Sequence, residues 1–189
     1  CHRSNFLDLK GKSVLLAPTQ SKNARTQFAL FAIPYKKNYI LLNTSMANRA
    51  VADSIKGRRF SFLGRRGKIY TEHYVGGYKS DIYIQDTNTI IEVKSVLSTE
   101  KCALFPTVFS ERALKQLEKL RDLLSLGYRV HYSVISLNPY VSSIYFVSDA
   151  QFTPLLKSCI DLGMTISAFS CRIDDNRVYI DKRLQILLP

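Results

Sequence analysis

The stretch Ser80-Asp-Ile-Tyr-Ile-Gln-Asp-Thr-Asn-Thr-Ile-Ile-Glu-Val-Lys-Ser95 reads as two β-strands joined by a tight turn. Residues 81–84 supply the first strand and residues 90–94 the second. Gln85-Asp-Thr-Asn-Thr89 between them is rich in the residues that turns favour. Side chains alternate along a strand, so Glu92 and Lys94 share one face and Ile91 and Val93 the other. A carboxylate and an ammonium within an isoleucine-rich strand are costly to bury without a purpose. A hairpin closing near residues 86–88 brings Asp81, on the neighbouring strand, to the same end. Two carboxylates and a lysine then converge. Asp81 and Glu92 offer hard oxygens suited to Mg²⁺ or Mn²⁺, and the Val93 carbonyl adds a third. Lys94 can orient a water or neutralise charge developing on a phosphoryl group. As a bare pattern, Asp-x10-Glu-x-Lys is common, and an exposed Glu92–Lys94 ion pair of little worth is the ordinary alternative. The apolar flanks favour an embedded strand.

Charge is distributed unevenly about this hairpin. Of the 189 residues, 27 are Lys or Arg and 15 are Asp or Glu, a net charge of +12. Residues 1–79 hold 15 of the basic residues and 3 of the acids, and residues 80–189 hold 12 of each. A neutral second half behind a strongly basic first half points to a polyanionic partner, with a merely basic surface as the alternative. No apolar run approaches the roughly 20 residues of a membrane span, and no signal-peptide pattern opens the chain. Because the first residue is Cys1, a processed or truncated N-terminus is expected. Cys1, Cys102, Cys159 and Cys171 are scattered without metal-ligand spacing, which suggests buried thiols in a reducing, cytoplasmic setting.

Upstream, residues 13–18, 27–33 and 38–42 have strand character, with Lys22, Asn23 and Arg25 in the first connection and Pro34, Tyr35, Lys36 and Lys37 in the second. Short strands with basic loops suit a small barrel that grips nucleic acid, or simply a solvated surface. Asn43-Thr-Ser45 offers caps for a helix over 46–55, whose buried stripe is Ala47, Val51 and Ile55. Asp53 is its one acid, a solvated residue or an extra ligand. The segment 56–68 holds Lys56, Arg58, Arg59, Arg65, Arg66 and Lys68 with no acid. These can contact phosphates, while of Phe60 and Phe62 at least one belongs to the core. Residues 69–75 form a strand, and His73 and His131 are read as structural.

Downstream, residues 98–107 look irregular. Ser110 caps a helix over 111–126 that Gly127 ends. Ala113, Leu117, Leu120 and Leu124 form its apolar stripe; Arg112, Lys115, Gln116 and Lys119 form a polar one that faces either solvent or the hairpin. Strands at 128–136, 143–147 and 165–171, a helix at 152–162 and a short edge strand after residue 177 complete an α/β pattern.

Asp81 with Ile-Glu-Val-Lys-Ser95 resembles the PD-(D/E)xK nuclease signature. Three further stretches resemble the sugar fermentation stimulation (SfsA) family within that superfamily: Leu42-Asn-Thr-Ser-Met-Ala-Asn-Arg49, Glu92-Val-Lys-Ser-Val96, and Ala103-Leu-Phe-Pro-Thr107 leading into Ser110-Glu-Arg-Ala-Leu-Lys-Gln116. Cys171-Arg172 also fits. The resemblance implies an α/β fold with a restriction-endonuclease-like core over 44–189 and a small, incomplete OB-like β subdomain over 1–43. It implies Asp81 and Glu92 as metal ligands, with Val93 contributing its carbonyl, and Lys94 as the catalytic lysine. Glu111, Arg112, Lys115 and Gln116 would line the site, Gln116 standing where relatives often carry His. Asn43, Thr44, Ser45 and Asn48 would shape the cleft. The function implied is a Mg²⁺- or Mn²⁺-dependent nuclease acting on DNA, with RNA as a second substrate class, no membrane association, and a homodimer among the readings. A DNA-binding regulator without cleavage and a ribonucleoprotein accessory factor are the alternatives.

Overall fold

Ile82, Ile84 and Ile91 turn to one side of the central hairpin and Ile90 to the other, and a separate apolar core covers each side. A computed structural model describes residues 9–19, 25–108, 110–175 and 177–189. Lys22 and Asn23 of the first basic connection and Cys1 lie outside the described residues. In chain order the elements are β1 (Leu15–Pro18), β2 (Phe28–Tyr35), β3 (Asn38–Leu41), α1 (Ser45–Ser54), β4 (Ile69–Val75), β5 (Tyr78–Ile84), β6 (Thr89–Val96) and β7 (Cys102–Phe105). They continue with α2 (Glu111–Ser125), β8 (Arg129–Ser136), β9 (Ser143–Phe146), α3 (Phe152–Asp161), β10 (Thr165–Asp174), β11 (Arg177–Arg183) and β12 (Gln185–Leu187).

Six strands form the main sheet in the order β11-β10-β8-β6-β5-β4. Strands β6, β8 and β10 run parallel, which demands crossovers, and α2 and α3 supply them. Three antiparallel strands complete the edges. The parallel centre is buried on both faces, so β8 and β10 are buried in unbroken runs even where they carry His131, Ser133, Ser167 and Ser170. On one face lie α1, with Ala47, Val51 and Ile55 all fully buried, and a 3₁₀ turn (Arg58–Leu63) that buries Phe60. Burying side chains of this size stabilises the fold by about 1.5–3 kcal/mol each. On the other face α2 and α3 pack Leu117, Leu120, Leu123, Leu156 and Cys159 against the sheet. The small front sheet β1-β2-β3 is antiparallel and joins the main body where the Leu41 N–H donates to the Leu137 carbonyl at 2.9 Å. No helix among the described residues is long and apolar enough to cross a membrane.

Several expectations are corrected. The irregular segment 98–107 contains a strand, β7, whose Ala103 and Phe105 are buried and whose Cys102 and Leu104 are exposed. Four residues are too few for alternation to stand out in the sequence. β7 pairs with β9 and not with the main sheet, in a three-stranded parallel sheet ordered β12-β9-β7. The tail supplies two strands, β11 and β12, because Asp174 and Arg177 pair across a two-residue turn in which Asp175 has φ 45°. Cys159 and Cys171 are buried as expected, but Cys102 is exposed. β2 extends through Pro34 and Tyr35, leaving Lys36 and Lys37 as the turn. The stripe of α2 runs through Leu123, with Leu124 at its margin.

Candidate active site

Pairing between β5 and β6 stops at Ile82–Ile91, and the strands part beyond it. Into this opening projects Asp81. Its Oδ2 accepts the Val93 N–H at 2.7 Å, so the carboxylate stands in for a missing strand partner. A strand residue presents its N–H and C=O to the same edge, so the Val93 carbonyl faces this opening as well. Asp81 Oδ1 accepts from Asn48 Nδ2 on α1 at 2.7 Å.

Glu92 is 3% exposed. Its Oε2 accepts the Tyr78 hydroxyl at 2.5 Å, and its Oε1 accepts Lys94 Nζ at 2.5 Å. Lys94 Nζ also donates to Gln116 Oε1 on α2 at 2.7 Å. Sequence alternation thus placed Glu92 and Lys94 on one face as expected, and α2 turns its polar stripe toward them. Burial, and next the charge of Glu92, push Asp81 up to about 6. Burial and then Glu92 also hold the Tyr78 hydroxyl protonated, its pKa raised far above the ordinary value. These shifts describe two carboxylates confined together with one lysine between them and the helix.

The donor set fits a hard divalent cation. Each carboxylate oxygen accepts one hydrogen bond and keeps a second lone pair. Burial, and then the charge of Glu92, disfavour the Asp81 carboxylate, and a bound cation would offset both. No cluster of three or more His, Cys, Asp or Glu side chains occurs among the described residues. The oxygens that could hold such a cation are those of Asp81 and Glu92 and the Val93 carbonyl.

A cleft of about 320 Å³ adjoins Lys94, walled by Gln116, Arg112, Phe105, Pro106 and Tyr132. On the other side of Arg112 and Gln116 a shallower groove runs past Tyr78, Lys115 and Lys119. Lys115 pairs with Glu111 at 3.5 Å on the exposed helix surface. Arg112 and Lys115 thus flank the site.

The basic segment 56–68 does not join them. Gly64 and Gly67 pack against Thr87 and Asp86, at the turn between β5 and β6. Three strand residues, Ile82, Tyr83 and Ile84, separate that turn from Asp81, a span of about 13 Å from Asp81 to Gln85. Within the segment, Arg66 donates to the carbonyls of Ile55 (2.7 Å), Ser61 and Gly64, and Arg59 donates to the Asp181 carbonyl at 2.8 Å. Arg65 lies 3.3 Å from Asp86, whose pKa is lowered first by the Lys68 backbone N–H. Lys56, Arg58 and the Lys68 side chain remain solvent-facing. Phe60 is core, and Phe62 is 40% exposed against His131 and Arg183.

Other assignments settle simply. Asp53 is exposed and pairs with Arg49 at 3.9 Å. His131 bonds Thr165 and Ser167 through its two ring nitrogens, and His73 stacks between Tyr70 and Tyr83. Both histidines are structural. Asn43 Oδ1 accepts from Ser45 N and Oγ at the start of α1, fixing the helix that carries Asn48. Tyr78 was not anticipated. It packs on the α2 side although Ile82 and Ile84, at the same parity, face α1, so alternation conceals it.

A family model described as "Sugar fermentation stimulation protein RE domain" matches residues 45–177. A sugar fermentation stimulation protein homolog from Caldanaerobacter subterraneus is 30% identical, covering 95% of this chain and 81% of its own. One from Chloroflexus aggregans is 25% identical, over 98% and 74%. The solved structure of Pyrococcus furiosus SfsA in complex with Ca²⁺ superposes with a TM-score of 0.75 at 21% identity, over 90% of this chain and 76% of that one. That likeness is one of fold.

Proposed function

We propose, from the premise that this chain belongs to the sugar fermentation stimulation (SfsA) family, that it is a divalent-metal-dependent nuclease hydrolysing phosphodiester bonds in nucleic acid, DNA foremost. The observation that carries the reading is the convergence of Asp81, Glu92 and Lys94 where β5 and β6 part, with Lys94 held between Glu92 and Gln116. A protein that only binds nucleic acid has no use for two confined carboxylates beside a lysine. The Pyrococcus furiosus relative was solved in complex with Ca²⁺, a hard cation that takes oxygen ligands, which supports reading these carboxylates as a metal site.

Asp81, Glu92 and the Val93 carbonyl would hold Mg²⁺ or Mn²⁺. When bound, such a cation polarises a phosphoryl group and acidifies water. Asn48 and the Val93 N–H fix the Asp81 carboxylate, and Tyr78 fixes that of Glu92. Such supporting bonds determine whether ligand oxygens stay aimed. Lys94 stands at the mouth of the cleft, where its ammonium orients the attacking water and neutralises charge gathering on the phosphoryl oxygens. Arg112 and Lys115 hold flanking phosphates. The solvent-facing Lys56, Arg58 and Lys68 extend the basic surface to a longer strand.

The test is incubation of single- and double-stranded DNA and RNA with Mg²⁺, Mn²⁺ or EDTA. Cleavage that EDTA abolishes is the expected result. Tight, steeply salt-dependent binding with no cleavage under any metal would replace the nuclease with a binding protein.

A further inference from the structure

The cleft beside Lys94 has a lining unlike that of a phosphate groove. Its floor is aromatic: Phe105, Tyr132 and Phe152 are 6%, 2% and 2% exposed. Pro106, also buried, continues this floor, and Val108 is 51% exposed at the rim. The polar groups of its lining are Ser110, which caps α2, Arg112 and Gln116 on α2, Lys94 and Ser95 on β6, and Thr107 between Pro106 and Val108. Among the described residues no carboxylate lines it. The Tyr132 ring is packed into this wall against Phe105, at 6.2 Å between centroids. At about 320 Å³ the cleft lies at the small end of the range for organic ligands, about 300–1,000 Å³. An apolar slot with a few polar groups suits one aromatic ring bearing hydrogen-bonding edges. A paired duplex keeps its bases stacked inside and offers no such ring.

Resting on the nucleic-acid reading above, we propose that this cleft is a base pocket that takes one unstacked nucleobase, from the nucleotide next to the phosphate held at Lys94. The exposed Val108 and the edges of Phe105 and Pro106 supply apolar contact, and Gln116 meets the base edge. Arg112 and Lys94 at the mouth hold the strand's phosphates on either side. The pocket selects single-stranded or frayed strands over closed duplex, because only these can deliver a free base without first breaking a pair.

The experiment measures binding in EDTA, so that hydrolysis plays no part. Fluorescence anisotropy compares a single-stranded DNA oligonucleotide, the blunt duplex of the same length, and a strand built wholly from abasic units. The variant is Val108→Trp, which fills the rim from an exposed position and leaves the core untouched. Wild type should bind the single strand about tenfold more tightly than the duplex or the abasic strand. Val108→Trp should lose that advantage and bind the duplex unchanged. Equal binding of intact and abasic strands, or a Val108→Trp protein that keeps the full preference, would overturn the pocket. A parallel assay with Mn²⁺ separates the two readings. Base-dependent, Val108-sensitive binding without hydrolysis sinks the nuclease and leaves the pocket standing. Hydrolysis with binding indifferent to bases and to Val108 does the reverse.

Discussion

The Tyr78 hydroxyl donates to Glu92 Oε2 at 2.5 Å from inside the core that α2 covers. Glu92 therefore has a neutral donor on one oxygen and Lys94 on the other. Removing the hydroxyl in Tyr78→Phe leaves a buried carboxylate with one partner fewer. Hydrogen bonds to charged groups contribute about 1.5–3 kcal/mol, and losses of stability in that range are expected in urea melts. Mn²⁺ affinity, measured by calorimetry, should fall about 10–100-fold, as when a bond supporting a metal ligand is lost.

Asn48 offers a cleaner separation of metal binding from folding. It is half-buried on α1 and its amide reaches Asp81 Oδ1 across the interface between helix and sheet. Asn48→Ala should keep stability within about 1 kcal/mol, since one neutral donor is lost at a partly solvated site. Its Mn²⁺ affinity should nonetheless drop by about tenfold or more. Unchanged affinity would remove Asn48 from the site.

How much of this was legible in the sequence depends on the range of the signal. The hairpin, the shared face of Glu92 and Lys94, the buried stripe of α1 and the Ser110 cap follow from periods of 2 and 3.6 and from local hydrogen bonding, and all appear in the structure. Asn48 entered through family resemblance alone, and its bond to Asp81 spans 33 residues that no local pattern encodes. Tyr78 breaks strand alternation, and β7 is too short to show it. The basic segment 56–68 was legible as charge, but its geometry was not. Arg66 spends its guanidinium on three backbone carbonyls, a role that composition cannot distinguish from phosphate contact.

That difference within the segment is testable. Arg66→Ala should destabilise the protein by about 1–3 kcal/mol, because it strands carbonyls near the base of the loop. Arg58→Ala should leave stability unchanged, Arg58 being exposed. For nucleic acid, Arg112→Ala and Lys115→Ala should each weaken binding uniformly across sequences and lower the salt slope by about 1. Titrations at several salt concentrations check both.

His131 gives a pH signature independent of the metal. Burial, and then the charge of Arg183, lower its pKa to about 3, and its other neighbours, Thr165, Ser167 and Phe62, carry no charge to offset this. The unfolded chain takes up the proton near pH 6.5, so the stability that neutral His131 contributes is lost as pH falls below that value. The loss amounts to roughly 2 kcal/mol between pH 7 and pH 5. Asp81, with its pKa raised, acts in the opposite sense over this window, since protonation there favours the folded state. Denaturant melts of wild type and His131→Gln in EDTA isolate the histidine by difference. The gap between the two proteins should narrow toward pH 5.

The most direct measurement of the central claim is the single-turnover cleavage rate of a labelled DNA strand by wild type, Glu92→Gln and Lys94→Ala in Mn²⁺. Wild type should cut, and each variant should be slower by at least a factor of about 100 while binding the strand in EDTA with affinity close to wild type. Cleavage at the wild-type rate by either variant would contradict the account.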